Sequence, residues 1–169
     1  MLMKLVQTRP ARPEEPDETY EEELHDVNAI IADMCIALGD TGSFEFRIAG
    51  FGESPWPLDV TTDLAIVLEQ LPAAMASCSR NEPFQLDLYE QGVERRLDFI
   101  PSGKIYRVSC NSFSDWIPEP NAEEISIEDL RMMLSGIAKK FCELATGLLP
   151  ETSKHPWFQE YARTLLGHA

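Results

Sequence analysis

The sequence predicts an α+β protein in which helices cover an antiparallel sheet of about four strands arranged as a meander. Three observations predict this fold: short stretches that alternate apolar and polar residues, tight-turn sequences between them, and helical apolar stripes on either side. The expected order of elements is α-β-α-β-β-β-α-α. The length of 169 residues suits a single domain, which we place at residues 19–169.

Residues 1–18 precede this domain as a charged, proline-rich segment. Pro10, Pro13 and Pro16 disfavour a helix before about residue 18, and the segment is too polar to bury much apolar surface. We therefore expect a flexible acidic N-terminal arm.

The first helix and the first strand follow this arm. Thr19 is the expected N-cap of the helix, and the glutamates at 21–23 lie in its first turns, where negative charge suits the helix dipole. The apolar positions of this helix recur at helical spacing: Leu24, Val27, Ile31 and Met34. Residues 43–51 then alternate apolar and charged side chains, which indicates a half-buried strand.

A second helix is expected to begin at Thr61, Thr62 or Asp63, each of which is a suitable cap. Its apolar stripe consists of Leu64, Val67, Leu68 and Leu71. Pro72 follows this stripe, and a proline within a helix removes a backbone hydrogen bond, so we expect a kink or a split there.

Three strands joined by tight turns are expected next. They occupy residues 84–89, 93–100 and 104–110. Gln91-Gly92 and Pro101-Ser102-Gly103 supply the turn sequences between them. These strands would form the meander of the sheet.

The second strand of this meander contains two adjacent arginines. Arg95 falls on the face of the strand that is otherwise apolar, and Arg96 falls on the polar face. We expect the pair to be neutralised by nearby acids on the strand face, namely Glu90, Glu94 or Asp87.

The strongest helix signal follows an acidic, proline-containing loop at residues 115–129. Ser126 and Asp129 resemble a capping box, with Asp in place of the usual Glu or Gln. The stripe of this helix comprises Ile127, Leu130, Leu134, Ile137, Phe141, Leu144 and Leu148. A last helix is expected to begin near Pro156, with Ser153 as its cap.

The four cysteines do not form a metal-binding or disulfide pattern. Cys35, Cys78, Cys110 and Cys142 lie far apart among apolar neighbours, so we expect reduced, buried thiols. Gly50 and Gly52 are expected in a turn with positive φ, because no phosphate-binding motif surrounds them. The sequence predicts no cofactor, no metal site and no catalytic residue. An enzyme that pairs Cys78 or Cys110 with His155 is an alternative, since such pairs are defined by geometry.

Negative charge is concentrated in two segments of the chain. The net charge is −15, and residues 13–26 and 115–129 together contain 14 of the 29 acidic residues and no Lys or Arg. Two anionic runs would repel phosphates, so nucleic-acid binding is disfavoured. The apolar start of the chain is too short for a signal peptide, which predicts a cytoplasmic location without membrane association.

Apolar residues stand among the acids of the second run. Phe113, Trp116 and Ile117 are unusual in a solvated loop, and Trp56 lies in a similar proline-containing loop. Aromatic residues rimmed by charge are typical of interface hot spots. Core packing is slightly favoured for either tryptophan alone, but we expect one of the two to contact a partner. The predicted partner-binding residues are Trp56, Asp115, Trp116, Glu119, Glu123, Glu124, Glu21 and Glu22.

This combination of small size, acidity, an α+β fold and no catalytic motif resembles bacterial toxin-immunity proteins. The resemblance covers the overall build of the chain. It implies a non-enzymatic protein, monomeric or weakly dimeric, that occludes the active site of a cognate toxin or other basic protein with acidic and aromatic surface. A secretion-type chaperone or adaptor is the alternative from another class, and it should dimerise and bind an unfolded segment.

Overall fold

The computed structural model describes residues 1–89 and 93–167. Within them the chain forms four α-helices and six strands in two antiparallel sheets, which confirms the predicted α+β class. The strands are β1 (Leu2–Gln7), β2 (Phe44–Ala49), β3 (Phe84–Leu88), β4 (Arg95–Ser102), β5 (Ile105–Ser112) and β6 (Ala122–Ser126). The helices are α1 (Val27–Asp40), α2 (Asp63–Ser79), α3 (Ile127–Leu148) and α4 (Pro156–Gly167).

Strands β1 and β2 form a two-stranded sheet of their own. Met3 lies opposite Ile48 and Leu5 lies opposite Phe46, and all four side chains are buried, because alternate residues of a strand face the same side. The prediction of a flexible arm over residues 1–18 is therefore wrong for β1. The prolines behind this segment exclude a helix, but they leave the residues in front of them free to pair as a strand.

Strands β3, β4, β5 and β6 form the second sheet in that order, which is the predicted meander. Its fourth member is β6, which lies in the region predicted as a loop, whereas the predicted strand at 43–51 pairs with β1 instead. The segment of β6 contains two adjacent glutamates and few strand-favouring residues, so its pattern gave no strand signal. The predicted turn at Gln91-Gly92 lies outside the described residues.

Helix α1 begins later than predicted. Asp26 is its N-cap, and the Asp26 carboxylate accepts a hydrogen bond from Asn28 N. Thr19 is therefore not the cap, and the glutamates at 21–23 lie in a turn ahead of the helix. Leu24, which the helical pattern placed on the buried stripe, is consequently exposed.

The other three helices begin close to the predicted positions. Helix α2 follows Thr62 and continues through Pro72, so it is not split there. In α3 the Oγ of Ser126 accepts a hydrogen bond from Asp129 N at 3.0 Å, which confirms Ser126 as the N-cap, whereas the Asp129 carboxylate accepts from Ser126 Oγ and does not make the reciprocal bond of a capping box. Ser153 lies inside a 3₁₀ turn, Thr152–Lys154, ahead of α4, so the prediction that it caps this helix is wrong; the His155 ring accepts the hydrogen bond from Trp157 N instead.

The buried side chains form one contiguous core that includes residues of both sheets and of all four helices. The four cysteines lie in this core as free thiols, as predicted. Burial raises the pKa of Cys142 to about 11, as expected for a thiol that serves as a small apolar side chain. In the described part of the chain, no helix combines the length and the apolarity needed to cross a bilayer.

Candidate functional site

A buried arginine lies at the centre of the candidate site. Arg95 is the first residue of β4, and strand alternation turns its side chain to the core face, together with Leu97 and Phe99. The side chain is only 3% exposed. Its guanidinium carbon lies 3.6 Å from the ring centroid of Trp116 and 4.4 Å from that of Trp56. A desolvated arginine that contacts indole rings in this way gains about 2 kcal/mol of cation–π attraction.

The charge of Arg95 is balanced by Glu53, which lies in the turn after β2. Arg95 Nη1 lies 2.6 Å from Glu53 Oε2. Neither atom, nor Arg95 Nε, makes an aligned hydrogen bond with a described residue. The predicted pairing of Arg95 with Glu94 or Asp87 is wrong, because the counter-charge comes from a segment distant in sequence. Glu90, the third predicted partner, lies outside the described residues.

Trp56 is buried in the core against Arg95. Its side chain is 2% exposed, and its Nε1 donates a hydrogen bond to Gly50 O at 3.2 Å. Its ring also contacts Phe51 and Trp116. The prediction that the Trp56 indole is an exposed anchor for a partner is therefore wrong, because the ring is almost wholly buried and its N–H group is bonded within the fold.

Residues 113–121, which we name the Trp116 loop, are held at both ends by backbone hydrogen bonds. Phe113 N donates to Glu94 O at 2.9 Å, and Cys110 N donates to Asn121 O at 2.9 Å. The indole of Trp116 is half-buried against Arg95 between these ends. These contacts fix the loop against the core sheet.

The middle of the Trp116 loop rests on the turn after β2. Glu119 N donates a hydrogen bond to Phe51 O at 3.0 Å. A Cβ atom at Gly52 would lie 2.2 Å from Glu119 O, and Gly52 has a φ of 86°. Glycine is therefore required both for the backbone conformation and for the close approach of the loop. The expectation of a turn with positive φ at this position is confirmed.

The outward face of the Trp116 loop combines apolar and acidic side chains. Ile117 is 81% exposed and Phe113 is 58% exposed. Asp115 and Glu119 are exposed on the same loop. An open groove of about 700 Å³ runs along it and is lined by Phe113, Trp116 and Ile117. The loop thus presents apolar surface, rimmed by carboxylates, on a fixed backbone.

Arg96 borders this groove from the outer face of β4. Its guanidinium carbon lies 5.4 Å from the ring centroid of Phe113, and its Nε lies 3.7 Å from Asp98 Oδ1. Asp87, one of the predicted partners, does lie opposite Arg96 on β3, but the carboxylate that lies within 4 Å of Arg96 is that of Asp98. Adjacent strand residues face opposite sides, so the two arginines lie in different environments.

Glu123 and Glu124 follow the Trp116 loop on β6. Glu123 Oε1 accepts a hydrogen bond from Phe51 N at 2.5 Å, and Glu123 Oε2 pairs with the Met1 amino group. Partial burial raises the pKa of Glu123, but these two hydrogen bonds outweigh it and hold the pKa below its ordinary value. The prediction that Glu123 binds a partner is wrong, because its carboxylate is engaged within the fold. Glu124 is exposed and lies opposite Arg107.

The acidic run at residues 13–26 contains one inward glutamate as well. Glu15 accepts hydrogen bonds from Glu151 N at 2.9 Å and from the Oγ1 of Thr152 at 2.6 Å. Burial raises the pKa of Glu15, whereas these hydrogen bonds and the nearby Lys154 lower it, and the net pKa lies below its ordinary value. Glu15 therefore fixes its segment to the residues that precede α4.

The remaining acids of this run face solvent or a shallow groove. Glu21 and Glu22 are exposed in the turn before α1, and among the described residues no hydrogen bond or ion pair joins them to the Trp116 loop. An open groove of about 620 Å³ lies between the run and α1. Its acidic lining residues are Glu14, Glu15, Asp17, Glu18, Asp33 and Asp40.

The alternative Cys–His pair is not assembled in the described part of the chain. The ring of His155 contacts Tyr20 and Trp157, with centroid distances of 5.4 and 4.8 Å. No hydrogen bond from a described residue joins Cys78 or Cys110 to this histidine. Burial raises the pKa of Cys110 to about 11 and also raises the pKa of Cys78. Both thiols are therefore protonated at neutral pH, which makes them weak nucleophiles.

Neither the comparison with known proteins nor a search for metal-ligand clusters indicates what this site binds. Comparison of the chain with protein-family models, with curated proteins and with solved structures finds no match. Across residues 1–89 and 93–167, no group of three or more His, Cys, Asp or Glu side chains is arranged to hold a metal ion. Function is therefore inferred from the geometry of the Trp116 loop.

Proposed function

We propose that this protein is a non-enzymatic protein-binding module of the bacterial immunity kind, which binds a basic surface of a folded partner through the Trp116 loop. One observation carries the proposal. Ile117 and Phe113 are largely exposed on a loop whose backbone is hydrogen-bonded to Phe51 and Glu94 and whose Trp116 ring packs on Arg95. Exposed apolar side chains that lie together on an ordered loop are typical of contact surfaces.

The fixed backbone of the Trp116 loop favours tight binding. A loop that is already ordered loses little conformational entropy on association, so more of the contact free energy appears as affinity. Phe113 and Ile117 provide the apolar centre of the contact. Asp115 and Glu119 provide a charged rim, which is the usual arrangement of an interface hot spot.

The negative charge of the chain favours a cationic partner. The net charge of −15 attracts a basic protein over several ångströms beyond contact, and acids near the contact raise the association rate most. Toxins that act on nucleic acids or nucleotides carry basic clefts. An anionic loop with an apolar tip would fill such a cleft and exclude its substrate.

The test uses the full chain as bait for proteins of its native lysate at low and high salt. We expect a basic protein that binds at low salt and elutes at high salt. Association rates are then measured with the purified partner for two double variants that change the net charge equally. Asp115→Lys/Glu119→Lys alters the Trp116 loop, and Glu21→Lys/Glu22→Lys alters the other acidic run.

The two double variants should behave differently. The loop variant should slow association about tenfold or more and weaken its salt dependence, whereas the other should slow it by no more than about threefold. Equal effects of the two variants would contradict the assignment of the loop. If this chain is a dimer and binds its partner only when the partner is unfolded, the secretion-type chaperone is indicated instead.

A further inference from the structure

The free edge of β2 offers backbone hydrogen-bonding groups that no described residue uses. Thr8 N donates to Ser43 O at 2.8 Å, which places this pair among the hydrogen-bonded positions of the β1–β2 ladder. Such positions alternate along an antiparallel ladder. Phe44 and Phe46 therefore direct their N–H and C=O groups away from β1, as does Ile48.

Only one of these outward groups is shown to be bonded. Ile48 O accepts a hydrogen bond from Trp56 N at 2.8 Å, where the chain returns along β2. No hydrogen bond from the described residues reaches the main-chain N–H or C=O of Phe44 or Phe46. The edge is thus closed at one end and open over the two phenylalanines.

A slot of about 330 Å³ lies beside this open edge. Its lining comprises residues 44–47 of β2, most of the segment 55–61 and Gly39 of α1. Leu58 and Val60 are the aliphatic residues of the second segment. Four strand residues span about 13 Å, so the slot has room for a short extended segment and not for a folded domain.

We propose that this slot binds an extended segment of a protein partner, which adds to β2 as a third strand. The unpaired N–H and C=O groups of Phe44 and Phe46 would bond to its backbone, as in other cases of strand addition to a sheet edge. A two-stranded sheet is marginal by itself, so a third strand would also stabilise β1 and β2.

The walls of the slot define the side chains of this segment. Residues that point toward the core would meet Leu58 and Val60, so they should be apolar. Asp59 is exposed at the slot, and its carboxylate accepts hydrogen bonds only from Thr61 Oγ1 and Thr62 N and makes no ion pair within the described residues. A Lys or Arg near one end of the segment would therefore complement it.

The slot adjoins the Trp116 loop through one side chain. Trp56 lines the slot, and its ring lies 5.9 Å from that of Trp116 between centroids. One basic partner can therefore occupy both surfaces, and to that extent the inference extends the proposed function. The strand edge is nevertheless a separate site, because none of its hydrogen-bonding groups belongs to the loop.

The test selects ligands for the full chain from a displayed library of random eight-residue peptides. An enriched peptide is synthesised in three forms, one unmodified and two methylated on alternate main-chain nitrogens, at the odd or at the even positions. Amide hydrogen exchange of the chain is then measured with each form. We expect the unmodified peptide to slow exchange of the Phe44 and Phe46 amides at least tenfold, with little change at Glu45 and Arg47, which are already paired with β1.

One of the two methylated peptides should give no protection, because its methyl groups occupy the nitrogens that face β2 and it cannot donate along the edge, whereas the other should still protect. Asp59→Asn should weaken the binding of a lysine-containing peptide several-fold. The change removes the charge but keeps a hydrogen-bond acceptor for Thr61 and Thr62. Glu14→Gln is the matched control and should have no effect. Failure to enrich any peptide, or protection confined to residues other than Phe44 and Phe46, would overturn the inference.

The outcome is independent of the Trp116 loop. The double variant Phe113→Ser/Ile117→Ser should leave peptide binding at β2 unchanged. The same variant should bind the folded partner more weakly. If no strand addition is seen and the loop variants still weaken binding of the partner, the proposed function stands without this site. If the peptide binds and the loop variants do not change binding of the partner, the strand-edge site stands and the proposed function of the Trp116 loop fails.

Discussion

The two acidic runs of the chain have similar compositions but different places in the fold. In residues 13–26, Glu15 is bonded to the backbone before α4, and the other acids line a polar groove or face solvent. In residues 115–129, Glu123 is bonded to Phe51 N, and exposed acids flank exposed apolar side chains. Each run thus has one structural glutamate and one large exposed apolar side chain, Leu24 or Ile117, but only the second run contains the Trp116 ring packed on Arg95 and adjoins the exposed Phe113.

This difference shows that the density of acids does not by itself define a contact surface. The second run is distinguished by its supporting contacts, which include an arginine buried against two indoles. The first run has its groove and its charge, but its exposed members include no aromatic side chain. We therefore propose that the Trp116 loop docks on the partner and that the first run contributes long-range attraction.

The largest expected effect is on stability, from Arg95→Met. This change removes the cation–π contacts to Trp56 and Trp116 and leaves the carboxylate of Glu53 without its counter-charge. We expect the free energy of unfolding to fall by about 3 kcal/mol in denaturant titrations. Arg96→Met, on the outer face of the same strand, is the control and should cost less than about 1 kcal/mol.

A second substitution separates two contributions to this loss of stability, namely the lost contacts of Arg95 with the indoles and the unpaired carboxylate of Glu53. Adding Glu53→Gln to Arg95→Met removes the stranded charge, so it should restore part of the lost stability. If Arg95→Met costs no more than Arg96→Met, the buried arginine does not hold the Trp116 loop, and the contrast between the two runs disappears.

A smaller and pH-dependent effect is expected from Glu15. Its lowered pKa means that the charged form stabilises the fold above pH 4.5, the ordinary value, and that this contribution is lost as pH falls through the lowered pKa. Glu15→Gln should therefore cost about 1–2 kcal/mol at pH 7 and progressively less below pH 4.5. Glu14→Gln should change stability by less than about 0.5 kcal/mol at either pH. A constant cost across this range would show that the charge of Glu15 is not what stabilises its segment.

The smallest effect on stability is expected at the tip of the Trp116 loop. Phe113→Ser and Ile117→Ser replace exposed side chains, so each should change the free energy of unfolding by less than about 0.5 kcal/mol. The same changes should weaken binding to the partner about tenfold or more. Thermal unfolding and equilibrium binding of the same preparations provide both measurements. A large loss of stability without loss of binding would place these side chains in the fold and not in the interface.

The sequence predicted the elements that are determined by residues close together in the chain. The Ser126 N-cap of α3, the strands of the meander and the turn at Gly52 all depend on residues close together in the chain, and the structure contains each of them. The strand β1 and the short β6 were not predicted, because their pairing partners are distant and their own patterns are weak. Long-range pairing is decided by packing, which a local pattern does not contain.

The candidate site was predicted only in part for the same reason. Asp115, Glu119 and Glu124 are exposed as expected, whereas Glu123 and Trp56 are engaged within the fold. The sequence did contain one signal for the support of the loop, since Arg95 stands on the apolar face of its strand. Its counter-charge and its two indoles come from separate loops, so only the folded chain reveals the cluster.

The most direct test of the docking assignment is an amide hydrogen-exchange footprint of the full chain bound to its captured basic partner. Our account expects the strongest new protection within residues 113–121, with weaker protection or none within residues 13–26. Protection confined to residues 13–26, with the Trp116 loop exchanging as in the free protein, would contradict the account.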